Sequence, residues 1–190
     1  MDPAGDIPTT PPDSGEAESE PPQCGRRPAS LVLDIVRDAG DWSAFEPAET
    51  LINQAAAALS AHERFNSASA TEACIALSSD AAVRELNRTY RAQDKPTNVL
   101  SFPAPAPPSG VPADVVRFLG DVVLSAETCG SEACDLGLRP AHHLQHLVVH
   151  GVLHLLGFDH ETDAEAQIME SLEAEILASI GVADPYAGSD

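Results

Sequence analysis

The chain has 190 residues, 43% of them hydrophobic, and sets 10 Lys+Arg against 30 Asp+Glu for a formal net charge of -20. That is the length of one ordinary domain. No apolar run nears the ~20 residues that cross a bilayer, and so acidic a chain is a poor sequence-independent binder of phosphate backbones, DNA included.

Residues 1–28 hold seven of the sixteen prolines together with Gly, Ser and six acids. Such a composition buries too little surface to offset ordering, so a disordered acidic tail is expected, followed by one domain over 29–187. The first dozen residues lack a basic region and an apolar stretch, so no signal peptide is expected. Four cysteines without a regular spacing suggest no disulfide framework. The expectation is a cytoplasmic protein with no membrane partner.

Ser30 to Asp38 alternates apolar and polar residues and predicts a strand. Ala48 to Phe65 is Ala-rich without internal Gly or Pro and predicts a helix. Thr71 to Ser78 alternates again. Asp80 is placed to cap a helix running to Tyr90 or Arg91. Thr97 to Phe102 suits a third strand, Ala104 to Pro112 a proline-rich surface loop, and Phe118 to Ser125 a fourth strand. A short helix is expected near Cys129 and Cys134, then longer ones over Pro140 to Leu156 and Thr162 to Ile180. Pro140 and Gly157 mark the ends of the former, and Thr162 with Glu165 forms a capping box for the latter. The fold class is α+β: a small mixed sheet of about four strands with about five helices and a zincin-like metal site.

The informative segment is His150-Gly-Val-Leu-His154-Leu-Leu-Gly157-Phe-Asp159-His160. Histidines four apart on a helix share one face. Gly157 ends the helix and turns the chain, so His160 can close on the same ion. Three imidazoles and an open fourth position make a catalytic zinc set rather than a closed structural one. The spacing matches that of the metzincin proteases, but their general-base Glu is replaced here by Gly151. His146 lies about 12 Å of helical rise from His154, too far for one ion, so it is a candidate for orienting a ligand or acting on substrate, with a core or solvated position as the alternative. Asp159 is a second candidate for orienting a ligand, or for the turn itself. His62, His142 and His143 are expected at the surface, and the cysteines buried or inert.

HGVLHLLGFDH resembles the signature of the YbeY family of rRNA maturation endoribonucleases. Leu86-Asn87 with Tyr90-Arg91 and Asp94, KPTNVLSF over Lys95 to Phe102, Leu119-Gly120-Asp121 and Asp184-Pro185-Tyr186 extend the resemblance from about Leu31 to Tyr186. The resemblance implies a zinc-dependent enzyme that cleaves single-stranded RNA in ribosomal RNA processing, notably 16S 3′-end maturation, and in ribosome quality control. Its partners would be rRNA and the small ribosomal subunit. One Zn2+ per chain would sit on His150, His154 and His160, with Arg91 and His150 in the catalytic step. A family arginine important for activity maps to Arg91.

The residues themselves agree on Arg91. On a helix from Asp80, Arg84, Arg88 and Arg91 share one side, and a guanidinium grips phosphate oxygens bidentately. Arg84 and Arg88 suit a solvated helix face, whereas Arg91, at the helix end beside Lys95, suits RNA binding; both Arg91 and Lys95 are expected to contact substrate. Two alternatives remain open: a metallopeptidase using the same histidines, and a non-catalytic ribosome-assembly factor whose zinc is structural.

Overall fold

The protein is described by a computed structural model covering residues 30–65, 70–108, 110–112 and 115–187; the acidic segment 1–28 lies outside them. Four strands, β1 (Leu31–Arg37), β2 (Thr71–Ser78), β3 (Val99–Pro103) and β4 (Arg117–Ser125), form one sheet in the order β1-β2-β4-β3. β1 and β4 run parallel to β2, and β3 antiparallel to β4, so the sheet is mixed. Among the described residues, four helices pack on it, α1 (Ala48–Ala61), α2 (Asp80–Arg91), α3 (Ala126–Asp135) and α4 (Pro140–Leu155), and a fifth, α5 (Asp163–Ser179), packs on α1 and α4. None of the described helices is long and apolar enough to cross a membrane.

Strand alternation sorts the side chains between two unequal cores. Leu33, Ala73, Ile75, Leu77, Val122 and Leu124 face the larger one, beneath α1, α4 and α5. Leu100 and Val123 point the other way and meet Val83 of α2 in a small second core. β4 carries one extra residue opposite Glu72–Cys74 of β2, which puts Leu119 on the same core as Val122 and Leu124. Gly120 makes that bulge possible: its φ is +130°, and a Cβ there would lie 2.2 Å from the Phe102 carbonyl oxygen.

The sequence expectations need four corrections. The first helix does not run to Phe65; it stops at Ala61, where His62 becomes extended, and Glu63–Phe65 form a separate 3-10 turn. His62 Nε2 instead reaches Glu175 on α5 at 3.2 Å. His143 is not at the surface but 5% exposed, with Nε2 2.9 Å from Glu132; burial pushes its pKa down despite that carboxylate. Of the cysteines, Cys129 is buried but Cys134 is exposed. Asp80 does not cap its own helix. Its carboxylate accepts the Thr128 N–H at 3.2 Å and the Thr128 hydroxyl at 2.6 Å in the first turn of α3, and the hydroxyl of Ser125, the residue that precedes that helix. In return, Glu127 accepts the Asp80 N–H at 2.8 Å, so α2 and α3 exchange caps.

Burial alone would raise the Asp80 pKa, but hydrogen bonds from Ser125 and Thr128 hold it below its ordinary 3.8. A carboxylate depressed in the folded state stabilises above its unfolded pKa, and that contribution fades as pH falls through the folded value. Asp80→Ala should therefore lower stability by about 1 kcal/mol near neutrality. Denaturant titrations should show this gap closing as the pH drops below roughly 4.

Candidate metal centre

α4 is the central helix of the larger core. Pro140 opens it, where a missing N–H is harmless. Leu144, Leu147, Val148, Val149, Val152, Leu153 and Leu155 bury it on most sides. His146, His150 and His154 form a half-buried row at four-residue steps. Gly157 then adopts φ +92° and turns the chain, which returns exposed His160 to the end of the row.

Hydrogen bonds fix the direction of two of these rings. His150 Nδ1 lies 2.9 Å from Glu173 Oε1, and His154 Nδ1 lies 3.0 Å from the Phe158 carbonyl oxygen. A ring whose Nδ1–H donates to an oxygen keeps its lone pair on Nε2. The two Nε2 atoms face each other at 3.1 Å, a repulsive arrangement unless a cation lies between them. A tetrahedral ion with bonds of ~2.0–2.1 Å sets its ligand atoms about 3.3 Å apart. Ligand nitrogens of His150, His154 and His160 all lie within 4.8 Å of one another. Burial, then the neighbouring His150 and His160, push the pKa of His154 down and favour the neutral form that binds metal. Among the described residues, no fourth ligating side chain joins these three. The residues fit a divalent ion with one side open.

Glu173 was not legible as a site residue, yet it is fully buried on α5 between two of the histidines. Its Oε1 accepts from His150, and its Oε2 lies 2.8 Å from His146 Nε2 and accepts the Tyr186 hydroxyl. Burial alone would raise its pKa, but hydrogen bonds from His146, His150 and Tyr186 hold it at about 2, so it stays a carboxylate. Burial and the bond to Glu173 push the tyrosine's pKa up. The signal was a lone acid on the apolar stripe of α5, flanked by Met169, Leu172, Ile176 and Leu177. His146 therefore shares the Glu173 carboxylate with His150, and its ring meets that of His150 edge-on with centroids 6.2 Å apart.

The remaining predicted residues separate. Arg91 ends α2 and lines a cleft of about 570 Å³ together with Ser101, Pro103, His154, Asp159 and His160. Among the described residues it makes no ion pair, whereas Arg84 pairs with Asp94 at 2.7 Å and Arg88 with Glu85 at 2.6 Å. Lys95 is exposed and does not line the cleft; its backbone carbonyl accepts from Asn87. Asp159 Oδ1 accepts the His160 N–H at 2.8 Å and stands 4.0 Å from His154 Nδ1, so it shapes the turn while Phe158 orients the ring.

Gly151 has a steric reason. Ser101 and Val122 are cross-strand partners on the face toward α4. A Cβ at position 151 would lie 2.6 Å from Val122 Cγ1 and 3.3 Å from Ser101 Oγ. The Ser101 hydroxyl donates to the Gly151 carbonyl at 3.0 Å. A glutamate in this position, as a metallopeptidase would need, has no room.

Replacing Glu173 by Gln keeps the shape but removes the charge that holds His150. Losing such a partner of a ligating histidine typically weakens metal binding about 10- to 100-fold. Competition of Glu173→Gln and wild type against a chromophoric chelator should show that loss.

A family model described as "Endoribonuclease YbeY" matches residues 40–181. A Rhodopseudomonas palustris (strain BisA53) protein named endoribonuclease YbeY is 50% identical over 163 residues, covering 86% of this chain and 92% of that one. An Azorhizobium caulinodans protein of the same name is 49% identical over 157 residues, covering 83% and 97%. Among solved structures, a Thermotoga maritima protein determined in solution aligns with a TM-score of 0.46 at 21% identity, covering 84% of this chain and 97% of that one. With the family model spanning most of the chain and half of the positions shared with these relatives, the chain belongs to the YbeY family.

Proposed function

We propose that this chain is a single-strand-specific, zinc-dependent endoribonuclease of ribosomal RNA, acting in the cytoplasm on the 3′ end of 16S rRNA in the small ribosomal subunit and in ribosome quality control. The activity is the one named for its relatives. The observation that carries it is the convergence of three imidazoles, two of which, His154 and His160, line a cleft together with Arg91. Imidazole donors admit several transition metals, and an open, tetrahedral three-histidine set suits zinc. Zinc in such a site supplies Lewis acidity and a nucleophile available near neutral pH.

The protein's own groups divide the remaining work. His150, His154 and His160 hold the ion; Glu173 and the Phe158 carbonyl keep two of those rings aimed. Arg91 grips the non-bridging phosphate oxygens and balances the charge that grows on them as phosphorus becomes five-coordinate. Gly151 contributes no proton-transfer group, and packing leaves no space for one. That distinguishes the site from a peptidase's, and the lack of a fourth ligand among the described residues distinguishes it from a structural zinc site. Residues 29–187 form the catalytic domain, and segment 1–28 is dispensable for cleavage.

Two experiments follow. Because the ion clips a helix to the turn after it, chelation should lower the melting temperature, and His154→Ala should remove that difference. Identical wild-type melting curves with and without chelator would contradict the metal site. Arg91→Ala should change stability by no more than ~0.5 kcal/mol, as for other exposed side chains. It should slow cleavage of single-stranded RNA on the order of a hundredfold, the loss expected for one transition-state contact. Near-normal cleavage by folded Arg91→Ala would contradict the assigned role.

A further inference from the structure

Resting on the ribonuclease reading, we infer that Tyr90, braced by Phe102, is a stacking platform for an unpaired base of the RNA substrate, on the outer side of the strand edge that borders the metal cleft.

Tyr90 is 68% exposed, the most exposed of the large apolar side chains among the described residues. It is nevertheless held in place. Its ring meets Phe102 edge-on, with centroids 5.2 Å apart and planes at 65°. Phe102 in turn packs on the small core of Val83, Leu100 and Val123. An aromatic face held in place and open to solvent is available to stack on another ring, and the neighbouring groups indicate which.

The next residue is Arg91, which has no ion-pair partner among the described residues and reaches the metal cleft. The residues on either side of Phe102, Ser101 and Pro103, line that same cleft. β3 is the outermost strand of the sheet, so its free edge divides the two surfaces. Tyr90 and Phe102 stand with α2 on one side; the histidines stand with α4 on the other; Arg91 passes around the edge. An aromatic face followed directly by an unpaired guanidinium matches the alternation of base and phosphate along a nucleic-acid strand. A protein partner would gain from the apolar face but would not call for the cation beside it.

The arrangement also selects for single strands. In a duplex each base face is covered by its neighbours, and the paired helix cannot fold over one strand edge. An unpaired nucleotide can place its base on Tyr90, its phosphate on Arg91 and the next linkage in the cleft.

The test uses the metal-loaded full chain and a short single-stranded oligoadenylate RNA, with one abasic nucleotide moved along it. Tyr90→Ala should raise KM about tenfold, within the range that loss of one base–aromatic stack produces, with kcat nearly kept. Tyr90→Phe, which retains the ring, should behave as wild type. At one position the abasic probe should impair binding to wild type by a similar factor and leave Tyr90→Ala unaffected. A wild-type KM in Tyr90→Ala would overturn the platform, as would a wild-type protein indifferent to the abasic position. Should Tyr90→Ala fold poorly, the abasic series on wild type decides alone. A wild-type protein that cleaves no RNA overturns the ribonuclease reading, and this inference with it.

Discussion

Because position 151 has no side chain, α4 lies directly against Val122 and Ser101, and much of the molecule is built around that approach. The contact brings the helix that carries His150 and His154 to the edge of the sheet. There β3, Arg91 and the loop after Gly157 close around them. The hydroxyl of Ser101 on the Gly151 carbonyl ties strand to helix at the same point. A larger residue would force the helix outward, because close-packed interiors yield little. The first metal ligand, the cleft wall and the larger core thus share one constraint.

Electrostatics sets the second layer. The ion's histidines are assembled around a buried carboxylate that is itself ionised, since Glu173 accepts hydrogen bonds from three neighbours. A buried charge is tolerated only when it is paired in this way. Its negative charge lies behind His150, where it would balance an ion held on the far side of that ring. In the cleft, Arg91 stands against Asp159 and Glu161, a balance that by itself repels phosphate. A divalent ion held by the three histidines would reverse that sign locally and let so acidic a chain act on a polyanion. The global charge excludes indiscriminate binding along a backbone and leaves a single local site.

Much of this was legible in the sequence because it follows from spacing. Two histidines at four residues and a third after a glycine turn come together as a cluster that could hold an ion. Alternation located the strands, with the extra residue at Gly120 visible only in the sheet. The capping box at Thr162 and Glu165 formed as its spacing predicts. What spacing cannot express is contact between distant segments. Glu173 reaches His150 from the next helix, and Asp80 caps α3 rather than its own α2. His143 is buried because α4 packs on nearly every side, a fact no single-helix periodicity contains. Lys95 follows Arg91 closely in the chain, but the turn after α2 directs the two apart.

The central claim is that three imidazoles from α4 and the following turn hold one ion with a side open to the cleft. X-ray absorption spectroscopy of the metal-loaded protein tests it directly. The expected result is zinc with three imidazole nitrogens and lighter oxygen donors, all at ~2.0–2.1 Å, and no sulfur. A sulfur shell near ~2.3 Å, or a fourth protein ligand closing the coordination, would contradict it.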